Sequence, residues 1–180
     1  NLRFIKHQLI GSDSVYKPTP SEIAALSFYK NNISHIFMLY SLICESVRYV
    51  EKISKEDLYS LIEMIYPIIS REYFLQSSHI EKKEIDNSLK TLLEEGVLTS
   101  KEPESYSKRS RNDDHFNKYL SLCNICEPSV KRFYIAMSVL WSQDNISKEK
   151  LQTDCDSIAK ELERLEGWPY PEFSDKTKFH

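Results

Sequence analysis

TPSEIAALSFYKNNISHIFMLYSLICESVRYV, from Thr19 to Val50, decides the fold. It opens on a helix-start signature: Thr19 as N-cap, Pro20 at the first helical position and Glu22 three residues after the cap. From Ile23 to Val50 there is no glycine or proline, so nothing local ends the helix. Ile33, Ile36, Phe37, Met38, Leu39, Tyr40, Leu42, Ile43, Val47 and Val50 cover more than half its circumference, which predicts a central helix packed on most sides. Tyr29, Lys30, Asn31, Asn32 and His35 are the polar exceptions. Asn31 and Asn32 lie four and three residues before His35, on one edge of the helix. Asparagine competes with the helix backbone for hydrogen bonds, so two in a row predict a buried network of Asn31, Asn32 and His35, with Tyr29 and Lys30 facing outward.

Ser54 caps a second helix to Leu75, which Pro67 is expected to kink or split. Ser78 caps a third to Glu95, with Ile80, Ile85, Leu89, Leu92 and Leu93 in one stripe and Gly96 closing it. Val97, Leu98 and Thr99 read as extended, with Tyr106 on a return strand, giving one small β-hairpin at about 97–108. One helix is expected over 112–122 and another from Pro128 to Trp141, with Val130, Phe133, Tyr134, Met137, Val139 and Leu140 inward. Ser147 caps the last full helix, ended by Gly167. The fold class is therefore mainly α: a multi-helix domain of six or seven helices around the long central one. Residues 1–18 read as a tail, linker or short strand, 19–166 as the helical domain, and 167–180 as an aromatic strap with the start of a further helix.

With 180 residues, 41% hydrophobic and 28% charged, the chain suffices for one cored domain, and three glycines argue against a turn-rich β architecture. A net charge of −3 gives no broad attraction to nucleic acid or anionic lipid. Two helices followed by Gly-Val-Leu and a hairpin imitate a winged helix, but Glu81, Glu84, Asp86, Glu94 and Glu95 outnumber Lys82, Lys83 and Lys90 on the would-be reading helix. Cys123-Asn-Ile-Cys126 is a C-x-x-C without a second ligand pair at short spacing; zinc and reduced thiols in helix packing both fit it. Ile36 to Cys44 is too short for a membrane span, which takes roughly twenty residues; a peripheral face and a buried core face both remain open.

Tyr29-Lys-Asn-Asn-Ile-Ser-His35 with Ser41-Leu42, Ile65-Tyr-Pro67, Glu72-Tyr-Phe-Leu75, Glu95-Gly-Val-Leu98, Ser110-Arg111, Lys131-Arg-Phe-Tyr134 and Pro171-Glu-Phe-Ser-Asp-Lys176 follow one another in order. This set resembles the C-terminal region of bacterial sn-glycerol-3-phosphate acyltransferases. Phe28 and Lys30 stand where that family has Tyr and Arg, and Ser174 where it usually has Phe. The resemblance implies an upstream catalytic domain with a His-x-x-x-x-Asp pair, whose histidine acts as base on the glycerol phosphate hydroxyl. In this chain His7, His35, His79 and His115 are followed at that distance by Ser12, Tyr40, Glu84 and Leu120, so no catalytic residue is expected here. The chain is then an accessory fragment that binds no cofactor or metal, in an enzyme using acyl-CoA or an acylated carrier protein. Its expected partners are the upstream catalytic domain and lipid at the cytoplasmic face of the bacterial inner membrane, with no nucleic acid. Tyr29, Lys30, Asn31, Asn32 and His35 would serve the domain contact, and Lys108, Arg109 and Arg111 an anion or membrane contact. A free-standing helical or winged-helix-like binding module is the alternative.

Overall fold

The computed structural model describes residues 6–10, 13–17, 20–143 and 145–166, with side chains from Ile33 onward except those of Glu163 and Glu166. Helix α1 (Pro20–Arg48) runs unbroken, as a stretch without glycine or internal proline should; its expected Thr19 cap lies outside the described residues. Met38, Leu42, Ile43, Cys44 and Val47 are buried, whereas Ile33, Ile36 and Phe37 are exposed. Ser34 is buried as well, so around residues 33–37 one face of α1 is covered and the face bearing Ile33, Ile36 and Phe37 is bare. Among the described side chains, the expectation of a helix covered on most sides holds from Met38 to Val47.

Strand β3 (Ile53–Ser54) leads directly into α2 (Lys55–Glu72). The Ser54 hydroxyl accepts from the Asp57 N–H at 3.1 Å, the cap read from sequence. Helix α3 (Lys82–Glu94) starts later than expected. Ser77 accepts from His79 N–H at 3.0 Å and donates to the His79 carbonyl at 2.8 Å, a local turn that keeps 77–79 out of the helix. The Glu84 carboxylate instead takes the Glu81 N–H at 3.0 Å, so the start is set there and not at Ser78. Strands β4 (Leu98–Glu102) and β5 (Ser105–Lys108) form the expected hairpin, and β3 adds to β5 through Ile53↔Tyr106 and Ser54↔Ser105. The sheet order is β3-β5-β4. With α1, α2 and α3 this is the element order of a winged helix.

The two helices expected over 112–122 and from Pro128 are one, α4 (Phe116–Ser142), and α2 likewise continues across Pro67. The carbonyls these prolines deprive of a donor belong to Glu63 and Asn124, both on exposed residues where solvent can take the bond. Together with α5 (Lys148–Glu166), the described residues hold five helices, in a mainly α fold. Strands β1 (Lys6–Ile10) and β2 (Asp13–Lys17) pair antiparallel where a tail or short strand was expected. The aromatic strap from Trp168 lies outside the described residues.

Two apolar clusters share α4. Tyr119, Cys123 and Cys126 belong to the main core with α1, α2, α3 and the sheet. Ile135 and Val139 pack against Cys155 and Ala159 of α5. The inward face of α4 also differs from the sequence pattern: Tyr134, Met137, Leu140 and Trp141 are exposed, while Glu127, Ser129 and Arg132 are buried.

Candidate functional site

Helix α4 carries a band of polar groups at the junction of the two clusters. Its first part fixes α1. Arg48 donates through Nη1 to Glu45 Oε2 and Glu127 Oε1, each at 3.1 Å, and Lys131 Nζ reaches Glu127 Oε1 at 2.9 Å. Glu45 and Glu127 are both nearly sealed from solvent. Burial raises the Glu45 carboxyl above its ordinary range, against the pull of Arg48. Burial lowers the Arg48 guanidinium, but Glu45 and Glu127 outweigh it and hold it charged. Lys108 Nζ then donates to the Arg48 carbonyl at 2.5 Å, a cation on the C-terminal end of α1.

The second part of the band fixes the end of α2. Arg132 donates to the Glu72 carboxylate and, at 3.0 Å, to Ser129 Oγ, and Ser129 in turn donates to Glu72 Oε1 at 2.9 Å. The Tyr73 hydroxyl lies 3.0 Å from Ser129 Oγ. Burial raises the Tyr73 phenol, opposed by that hydrogen bond. Thus Glu72-Tyr-Phe-Leu75 and Lys131-Arg-Phe-Tyr134, far apart in sequence, meet at one point.

Just before both clamps along α4, Ser41 of α1 enters its backbone ladder. Its hydroxyl donates to the Leu122 carbonyl at 2.5 Å and accepts the Cys126 N–H at 3.0 Å, the two groups a regular helix joins to each other. Next to it, burial pushes the Cys123 and Cys126 thiols up to about 12, and Cys44 above its ordinary value. All three are packed as neutral thiols in the core. Among the described residues no three His, Cys, Asp or Glu side chains group as a metal site. Every carboxylate in the band has a cationic partner, so what the arrangement does chemically is hold three helices in register.

The residues expected to make contacts divide. Arg109 Nε donates to the Gly96 carbonyl at 2.8 Å and its Nη1 pairs with Asp113 at 3.1 Å, which makes it a brace between α3 and the start of α4. Lys108 caps α1, and Arg111 is exposed. His35 is exposed on α1, not buried as expected, beside exposed Ile33, Ile36 and Phe37. The α1 backbone carries Tyr29, Lys30, Asn31 and Asn32, whose side chains lie outside the described residues. The sequence reading missed Ser41, Glu45, Arg48, Glu127 and Ser129. Its available signals were Glu45 and Arg48 three apart and Glu127 and Lys131 four apart, spacings that put opposite charges on one helix face.

The family model described as "Glycerol-3-phosphate acyltransferase C-terminal region" matches residues 2–180. The chain belongs to that family of acyltransferase C-terminal regions. Among curated proteins it is similar to a glycerol-3-phosphate acyltransferase of Pseudomonas putida (strain GB-1), 32% identical over 157 residues, covering 86% of this chain and 19% of the relative. Those of Glaesserella parasuis and Alteromonas mediterranea are each 29% identical, covering 86% and 88% of this chain and 19% of either relative. The chain thus spans about a fifth of the length of the relatives it matches. No solved structure matches it.

Proposed function

We propose that this chain is the C-terminal accessory region of a glycerol-3-phosphate 1-O-acyltransferase, which transfers a fatty acyl group from an acyl-CoA or acyl carrier protein thioester to glycerol 3-phosphate. In this reading the region supplies no catalytic dyad and holds the catalytic part of the same polypeptide in its working arrangement. The observation that carries it is the bare face of α1. Ile33 (53% exposed), Ile36 (59%) and Phe37 (40%), with exposed His35, fall within the stretch bearing the family resemblance. A run of large apolar side chains next to an exposed imidazole is poor surface and good interface. Tyr29, Lys30, Asn31 and Asn32, on the preceding turn of the α1 backbone, belong to the same proposed contact.

The winged-helix element order favours an interaction role over a catalytic one, and the carboxylates Glu84, Asp86 and Glu94 cancel the three lysines of α3, with Glu81 and Glu95 at its two caps, which favours packing over reading nucleic acid. No described helix is long and apolar enough to cross a membrane. Attachment at the cytoplasmic face of the inner membrane is part of the proposal, with exposed Arg111 the cation left for an anionic head group. The test has two arms. The purified chain, given glycerol 3-phosphate and an acyl thioester, releases no thiol above a heat-denatured control; measurable turnover overturns the assignment. In the full-length protein His35→Ala lowers the acyl-transfer rate without moving the melting temperature, whereas a parallel loss of both would make His35 merely structural.

A further inference from the structure

Helices α2 and α3 end in the same way with different residues. In α3 the C-cap is Glu95, Gly96 follows at φ 69°, and Val97 N–H returns to the Leu92 carbonyl at 2.8 Å. In α2 the C-cap is Tyr73, Phe74 follows at φ 52°, and Leu75 N–H returns to the Ser70 carbonyl at 2.9 Å. Both are Schellman endings, whose left-handed position glycine fills because it has no Cβ. A bulky aromatic there is strained. Phe74 is also 92% exposed, so the ring gains nothing inside this chain. It is held in place all the same: Tyr73 and Glu72 immediately before it are tied to Ser129 and Arg132 of α4. Met64 and Ile68, exposed and four apart, carry apolar surface back along the helix that ends at the ring.

We propose that Phe74 is an anchor that inserts into an apolar pocket on the rest of the same polypeptide, the part corresponding to the four-fifths of the relatives that this chain does not cover. The inference rests on the reading above only in taking the chain as one region of that longer protein. A strained, exposed aromatic on a rigid support is how a preorganised hot-spot residue is presented. The length of polypeptide outside the structure supplies the occupant. A bilayer is the weaker fit, because residues 71–78 carry one cation, Arg71, and one carboxylate, Glu72, and form no basic collar.

The experiment uses the full-length protein and reads the sign of a melting shift. Phe74→Gly relieves the left-handed strain, so a ring facing solvent gives a raised transition. A ring seated in a pocket gives a lowered transition, and Phe74→Tyr, which keeps the ring, stays near wild type. We expect the fall. A rise, or no change, overturns the anchor. So does a fall seen only with phosphatidylethanolamine–phosphatidylglycerol vesicles present, because it places the ring in lipid. Acyl transfer by the wild-type protein is measured separately. An inactive protein that still shows the fall removes the acyltransferase reading and leaves the anchor standing.

Discussion

Ser41→Ala asks whether the opened turn of α4 is built in or incidental. The hydroxyl joins the Leu122 carbonyl and the Cys126 N–H, at 2.5 and 3.0 Å, in a site where Ser41 and Cys126 are fully buried. Each hydrogen bond contributes about 1 kcal/mol net, so losing both without replacement costs about 2 kcal/mol. In a chain of this size that lowers the melting temperature by about 4–8 °C. The competing outcome is that α4 closes its own bond from Cys126 to Leu122 and recovers most of the loss. Pro128, two residues on, opposes that closure, because it removes the next-but-one N–H and leaves this stretch of the ladder already short of a bond. Urea denaturation of wild type, Ser41→Ala, Pro128→Ala and the double variant separates the two. We expect Ser41→Ala to be costly alone and cheaper in the Pro128→Ala background, where the helix can straighten. A single-variant cost under about 0.5 kcal/mol would refute the reasoning, since the hydroxyl would then be a bystander in a regular helix.

Three further expectations follow from the same contacts. Arg132→Met leaves Glu72 and Ser129 without their cationic donor and should cost about 2–3 kcal/mol by urea denaturation, less than a fully sealed ion pair because Glu72 can reach water. Gly96→Ala places a Cβ 3.3 Å from Arg109 Nη2 at φ 69°, so a loss of about 1 kcal/mol is expected; a neutral result would show that the Arg109 brace yields freely. Asp86 accepts from the Tyr59 hydroxyl at 2.5 Å and pairs with Lys55 at 2.9 Å, and these contacts depress its carboxyl below the ordinary value. A depressed acid stabilises above its unfolded value and loses that contribution as pH falls through the folded one. Asp86→Asn should therefore be less stable than wild type near neutrality, by no more than about 1 kcal/mol for so exposed a site, with the two melting curves converging in strong acid.

Local chemistry in the sequence was legible. Ser54 caps α2, Gly96 closes α3 in the left-handed conformation, and the hairpin after it carries Tyr106 on its return strand. Each depends on residues within a few positions. What depended on distant partners was not legible. Pro67 and Pro128 look like breaks, but the carbonyls they leave without a donor belong to exposed residues, Glu63 and Asn124. The inward side of α4 was read from apolar periodicity alone, which put Tyr134, Met137 and Leu140 inside. The buried side is instead set by charges whose partners come from other elements: Arg48 for Glu127, and Glu72 for Arg132. An α1 that is apolar nearly all round predicts a buried His35, but around residues 33–37 only the side carrying Ser34 is covered, and His35 lies on the exposed side with Ile33, Ile36 and Phe37.

The position of the polar band explains why one helix can serve two cores. The first half of α4 is committed to α1, α2 and α3, and its second half to α5. At the junction Ser41 intrudes on the ladder and Pro128 withholds an N–H, so the helix is least self-sufficient there. A helix weakened at that point would let the α5 end swing. Arg48, Glu127 and Lys131 on one side, and Glu72, Ser129 and Arg132 on the other, restrain it at the same level. Buried ion pairs add little net stability compared with apolar packing, but they penalise every arrangement in which a partner is missing. The band is therefore better understood as fixing geometry than as adding stability. It sets where α5 sits relative to α1, and where the ring of Phe74, one residue beyond the Tyr73 hydrogen bond, is presented to whatever it meets.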